Sequence, residues 1–186
     1  MPPFELTLVV PCYNEAARLD RAAFLGFIAS HPRLGVLFVD DGSTDATPDV
    51  LEDLRQAAPG AASVLRVPHG GKAEAVRRGL LEALRSGAPL IGFWDADLAT
   101  PLGAVDDFLA LAGRRPEFEV FLGSRVNLLG RHVHRGAARH YAGRAFATAV
   151  SRALDLPAYD TQCGAKMFRA TEAIIDLWTI RLGGDH

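Results

Sequence analysis

Apolar residues along this chain gather into short unbroken runs, and between the runs they recur at three- and four-residue intervals. The runs at 6–10, 36–39, 63–67, 90–94 and 120–122 predict strands. Residues 16–29, with Leu19, Ala23 and Phe27 at helical spacing, predict a helix, as do 48–58, 72–85, 102–112 and 137–153. In the third of these Val76, Leu80, Leu81 and Leu84 share one side; in the second, Thr47 is expected to cap the helix with Pro48 in its first turn. Continuous Val/Leu/Phe strands alternating with helices argue for an α/β fold with a mostly parallel central sheet and helices on both faces. Ligands of such sheets bind beyond the carboxyl ends of the strands.

The polar residues concentrate at those ends. The first predicted strand runs into Pro11-Cys12-Tyr13-Asn14-Glu15 and the second into Asp40-Asp41-Gly42-Ser43-Thr44-Asp45. The third leads to Gly70-Gly71-Lys72, and the fourth delivers Asp95 and Asp97. Asp-Gly-Ser alone is ordinary turn chemistry, and a lone Asp-x-Asp suits a solvated turn. Four consecutive strands placing polar groups on one edge is the stronger signal. With an extended backbone Asp95 and Asp97 point to the same side, and two such carboxylates repel unless a cation lies between them. A few hard oxygen ligands suit Mg²⁺ or Mn²⁺, with water and substrate phosphates completing the coordination. The Gly-x-Gly-x-x-Gly of a dinucleotide-binding fold is absent after the first strand.

Composition narrows the picture further. The 186 residues, 49% hydrophobic and 23% charged, fit a single domain over 1–186. A net charge of −2 makes no case for a nucleic-acid partner. No apolar run approaches the roughly 18–20 residues of a spanning helix, and the N-terminus lacks a basic-then-apolar leader. A cytoplasmic protein, peripheral at a membrane, is expected. Cys12 and Cys163 are too few for a disulfide framework and are expected to be reduced and buried.

Taken together, Val9–Glu15, Val39–Asp45, Gly71-Lys72 and Asp95-Ala96-Asp97 follow the order and approximate spacing of the inverting glycosyltransferases of family 2, and the chain resembles that family over most of its length. Gly123-Ser124-Arg125 and Asp160–Phe168 resemble the branch that transfers a sugar to polyprenyl or dolichyl phosphate. Asp-Ala-Asp-Leu-Ala-Thr and Thr-Gln-Cys-Gly look nearer to its glucosyltransferases than to its mannosyltransferases. The resemblance implies the GT-A nucleotide-sugar fold and a donor of UDP-glucose or GDP-mannose type. It also implies that Pro11, Tyr13, Glu15 and Lys72 belong to the donor site, with Asp40 or Asp41 meeting base or ribose. Asp95 would lie near ribose and metal, Asp97 would be the principal metal carboxylate, and Lys166 would reach the diphosphate. Where mannosyltransferase relatives carry a metal-assisting glutamine, this chain has Ala99.

Between positions 120 and 154 the chain has six arginines and no Asp or Glu. Such a cluster repels itself unless it faces solvent or an anion, and Arg binds phosphate in a planar, bidentate manner. Arg135 and Arg139 share a face if helical; with Arg125 they are expected to hold the acceptor phosphate, Arg131 standing in reserve. Arg144 and Arg152 read as surface residues, and a basic face toward anionic lipid headgroups is the simpler alternative. Two other readings stay open: a sugar-nucleotide-binding or membrane-surface adaptor without turnover, and a transferase with a soluble acceptor. The family ordinarily continues beyond the point where this sequence stops, so a shortened C-terminal end is expected.

Overall fold

The structure, a computed structural model, describes residues 4–123 and 163–179. Six strands form one sheet: β1 (Leu6–Cys12), β2 (Leu34–Asp40), β3 (Ala62–Arg66), β4 (Leu90–Trp94), β5 (Val120–Leu122) and β6 (Ala165–Arg169). Their spatial order is β3-β2-β1-β4-β6-β5. The first four pair in parallel. β6 enters between β4 and β5 and is antiparallel to both, so the mostly parallel sheet expected from the sequence is present with one reversed strand.

Helices α1 (Arg21–Ser30), α2 (Thr47–Ala57) and α4 (Ala104–Arg114) belong to one side of the sheet, α3 (Lys72–Arg85) and α5 (Glu172–Thr179) to the other. On the first side Phe24, Phe38, Leu51, Leu54 and Trp94 are buried together; on the second Val9, Val39, Leu80, Ile91, Phe168 and Ile174 make a smaller core. β1 and β2 are covered on both faces, which is why they read as unbroken apolar runs. α3 crosses close over them at Gly79, where a Cβ would overlap the Val9 side chain. Tight seating there fixes the start of α3, and with it Lys72, against the carboxyl edge.

Two local expectations are corrected. The first helix begins at Arg21 rather than at 16, because the N–H groups of Arg18 and Leu19 close a turn on the Glu15 carbonyl and the Asp20 carboxylate accepts from the Ala23 N–H at 3.0 Å as the N-cap. Thr47 does not cap α2. It is the first helical residue, and its hydroxyl accepts the Glu15 N–H at 2.8 Å instead, tying two loops together. The helix expected over 137–153 lies outside the described residues. β6 and α5 carried no expectation. Both cysteines are free and buried, and burial pushes the Cys12 thiol up, reinforced by the charges of Glu15 and Asp40. Among the described residues no helix is long and apolar enough to cross a membrane.

Candidate functional site at the carboxyl edge of the sheet

The parallel register of β1 and β2 sets Cys12 opposite Asp40, so the loops that follow emerge side by side. Asn14 adopts a left-handed backbone, φ 52°, which Asn tolerates better than most residues. From there its N–H donates to the Ser43 hydroxyl at 3.0 Å, and its side-chain oxygen accepts from the N–H groups of Thr44 and Asp45 at 2.8 and 3.3 Å. Thus Pro11–Glu15 and Asp40–Asp45 form one stapled unit.

Asp40 and Asp41 are both buried. Asp40 accepts the Ser43 N–H at 3.0 Å and so holds its own turn. Asp41 reaches the next loop: its two oxygens accept from the Gly70 and Gly71 N–H groups at 2.8 and 2.9 Å, and the His69 Nδ1 lies 3.0 Å from Oδ2. Asp41 is therefore spent on the β3–α3 loop, which leaves Asp40 as the carboxylate of the pair nearer to free. Gly71 precedes α3 at φ 84°, a conformation that suits glycine. Lys72 then opens the helix, whose positive end faces the same edge.

The extended backbone assumed for Asp95 and Asp97 is not what the chain adopts. β4 ends at Trp94, and the following residues turn, with Leu98 at φ 51°. The turn is closed by the Leu98 N–H to Asp95 carbonyl bond at 3.1 Å and by the Trp94 indole N–H to the Thr100 carbonyl at 2.7 Å. Asp97 is exposed, its Oδ1 accepting the Ala99 N–H at 3.0 Å. Asp95 is mostly buried, its side chain 16% exposed, with the Lys72 ammonium 2.5 Å from Oδ1. That oxygen has a charge beside it but no aligned hydrogen-bond donor.

Gly164 and Lys166 come to this place from far along the chain. The Asp95 N–H donates to the Gly164 carbonyl at 2.9 Å, and the Asp95 carboxylate lies where a Gly164 side chain would be, so any Cβ there would displace it. Lys166 pairs across the ladder with Phe93. Its ammonium donates to the Cys163 carbonyl at 3.3 Å and stands 5.0 Å from the centre of the Phe93 ring. Tyr13, 43% exposed, stacks on His69 with ring centres 4.3 Å apart. Glu15 pairs with Arg18 at 2.8 Å through one oxygen, the other being buried without a partner.

Of the residues expected in the site, Pro11, Tyr13, Glu15, Asp40, Asp41, Lys72, Asp95, Asp97 and Lys166 all lie on or beside the carboxyl edge. Arg125, Arg135 and Arg139 lie outside the described residues. Sequence reasoning missed His69 and the structural role of Gly164, and it gave Thr47 a helix-capping role in place of its bond to Glu15. Among the described residues no three His, Cys, Asp or Glu side chains are grouped as a complete metal cage. Two carboxylates, one mostly buried beside the Lys72 ammonium and one open to solvent, do fit Mg²⁺ or Mn²⁺ held largely by water and phosphate oxygens.

The chain is 34% identical over 189 residues to a dolichyl-phosphate beta-glucosyltransferase of Drosophila melanogaster, covering 92% of this chain and 56% of that protein. It is 30% identical over 177 residues to a dolichyl-phosphate beta-glucosyltransferase of Trichomonas vaginalis, covering 87% and 51%. The chain thus spans about half the length of these curated relatives. In fold it is similar to glucosyl-3-phosphoglycerate synthase from Mycobacterium tuberculosis in complex with Mn²⁺, UDP and phosphoglyceric acid, with a TM-score of 0.58 at 19% identity over 89% of this chain and 55% of that one. It is also similar to a mannosyltransferase from Pyrobaculum calidifontis in complex with GDP-Man and Mn²⁺, with a TM-score of 0.50 at 24% identity over 62% and 34%. These neighbours share the GT-A glycosyltransferase fold. With residues 7–172 matching the family described as glycosyl transferase family 2, the chain belongs to that family.

Proposed function

We propose that this chain transfers a hexose from a nucleotide-diphosphate sugar, of UDP-glucose or GDP-mannose type, to a polyprenyl or dolichyl phosphate, with inversion at the anomeric carbon. The observation that carries the reading is the Asp95 carboxylate, largely buried, with the Lys72 ammonium 2.5 Å from its Oδ1. A buried carboxylate is held in its charged form by an adjacent cation, and a donor complex that brings a divalent ion there frees Lys72 for the phosphates. The names of the two relatives support the acceptor, and the ligands of the solved neighbours support a nucleotide donor with Mn²⁺.

In this reading the nucleoside lies over Tyr13 and the Asp40 loop, and the diphosphate runs toward Asp95, Asp97 and the start of α3. Asp95 and Asp97 would hold a Mg²⁺ or Mn²⁺ ion, which when bound would supply positive charge for the departing diphosphate. Lys72 exchanges its contact with Asp95 for a phosphate oxygen, and Lys166 shares the same task. A phosphate monoester, with a second pKa near ~6, is already anionic at neutral pH, so no general base is required. One of its oxygens forms a bond to the anomeric carbon while the carbon–oxygen bond to the donor phosphate breaks, and the nucleoside diphosphate leaves from the opposite face. In the same reading Arg125, Arg135 and Arg139 offset the repulsion between the acceptor and donor phosphates.

The test is transfer of labelled glucose from UDP-glucose, or mannose from GDP-mannose, to a detergent-dispersed polyprenyl phosphate with Mn²⁺. Metal-dependent formation of a lipid-phosphate sugar is expected. Sugar–nucleotide binding without transfer to any phosphate acceptor would favour the adaptor reading. Transfer only to a soluble phosphate would favour the second enzymatic reading, supported by the phosphoglyceric acid bound in the mycobacterial neighbour.

A further inference from the structure

His69 has no place in the account so far, yet it stands within the donor site. Its Nδ1 is 3.0 Å from the Asp41 backbone carbonyl and 3.0 Å from the Asp41 carboxylate. Both neighbours are acceptors, so Nδ1 carries the proton whatever the charge of the ring. In the neutral ring Nε2 is then an acceptor, and among the described residues it has no hydrogen-bond partner. The imidazole lies against Tyr13 at an interplanar angle of 28°. Both rings are open to solvent, the His69 side chain being 55% exposed. Asp41, itself buried and held by two glycine N–H groups, fixes the ring so that the Nε2 lone pair has a set direction.

We infer that His69 is a specificity-determining residue of the donor site, offering its Nε2 lone pair to the imide N–H of a uracil or guanine base that lies edge to edge with the imidazole. This rests on the donor reading above. The chemistry discriminates by sign: uracil and guanine present a ring N–H beside a carbonyl, whereas cytosine and adenine present a bare ring nitrogen whose lone pair would face that of Nε2. A site built to pair with a donor rejects a ligand lacking it more strongly than an apolar pocket rejects a misfit.

The test is calorimetric titration of the whole chain with UDP, GDP, CDP and ADP in Mn²⁺, in mildly alkaline buffer where imidazole is neutral. UDP or GDP is expected to bind at least about tenfold more tightly than CDP and ADP, the scale of one hydrogen bond. H69F, which keeps a stacking ring but no acceptor, is expected to bring all four to within about threefold, while H69Q, which retains an acceptor, keeps part of the preference. Independently of any variant, the unsubstituted chain is expected to bind imide-N-methylated UDP or GDP about tenfold more weakly than the parent nucleotide. A base preference unchanged in H69F, or equal binding of the methylated nucleotide, would overturn the assignment and leave the donor reading standing, whereas CDP or ADP as the tightest ligand would overturn both. Absence of binding by all four would overturn the donor reading, and this inference with it.

Discussion

On the β1–β2–β3 side of the site each loop is tied to its neighbour. Asn14 bonds the Asp40–Asp45 turn, Thr47 bonds Glu15, and Asp41 bonds the entry to α3. On the β6–β5 side the described residues enter the site by strand pairing instead. β5 is a three-residue edge strand whose Val120 and Leu122 are 44% and 43% exposed, and Gly164 and Lys166 join the site through pairing with β4. The first side is a preorganised cradle made of short-range loop chemistry. The second depends on long-range pairing with β4, and Asp95 packs closely over Gly164 where the two meet.

That contrast can be broken at several points. Asp97→Ala should cost the most activity, about 10²-fold or more in transfer rate. Its melting temperature should change little, because the carboxylate is exposed and makes one local hydrogen bond. Steady-state kinetics beside a thermal melt would check both. Gly164→Ala should come next: its Cβ would overlap the Asp95 carboxylate, so Mn²⁺-dependent nucleotide binding should fall sharply, with about 1–3 kcal/mol lost in stability, as overpacking usually costs. Denaturant unfolding and titration on the same sample separate these two effects.

On the stapled side, Asp41→Asn exchanges one acceptor oxygen for a donor and leaves a loop N–H unpaired, for a loss of about 1–3 kcal/mol. Amide hydrogen exchange should then speed up at Gly70 and Gly71 ahead of the rest of the chain. If exchange there matches that of the unsubstituted chain, Asp41 does not hold the loop. The smallest effect concerns acid stability. Hydrogen bonds from Arg77 and Arg78 hold the Glu74 carboxyl down at about 2, against an ordinary 4.5. A depressed value means that stability from this group is present above pH 4.5 and is lost as pH falls toward about 2. Glu74→Gln should remove less than about 1 kcal/mol, since the group is partly solvated, and should flatten the loss within that window. Urea melts at several acidic pH values would show it.

The parallel half was legible in the sequence because its signals are local. Unbroken apolar runs gave β1 to β4, and the polar residues that follow each run are the ones that line the edge. Asn14, Asp41 and Lys72 lie within one to six residues of a strand end. The antiparallel half was not legible as structure. Ala165–Arg169 is too short and mixed for periodicity to separate a strand from a loop, and its position between β4 and β5 follows from pairing partners more than forty residues away for each. The Asp95/Asp97 geometry was misjudged for a related reason: strand periodicity was carried past Trp94, where the indole bond to Thr100 and a left-handed Leu98 begin a turn. His69 was missed because a lone exposed histidine acquires meaning only through Tyr13 and Asp41, 56 and 28 residues earlier.

The central claim is that the largely buried carboxylate of Asp95, beside Lys72, and the open carboxylate of Asp97 together receive a divalent ion with the donor diphosphate. It is tested most directly by calorimetric titration of UDP and GDP into the chain with Mn²⁺ and again with EDTA, repeated on Asp97→Ala. The account predicts binding with Mn²⁺ that weakens at least about tenfold on chelation and equally in the variant. Binding of the same strength in EDTA, or in Asp97→Ala with Mn²⁺ present, would contradict it.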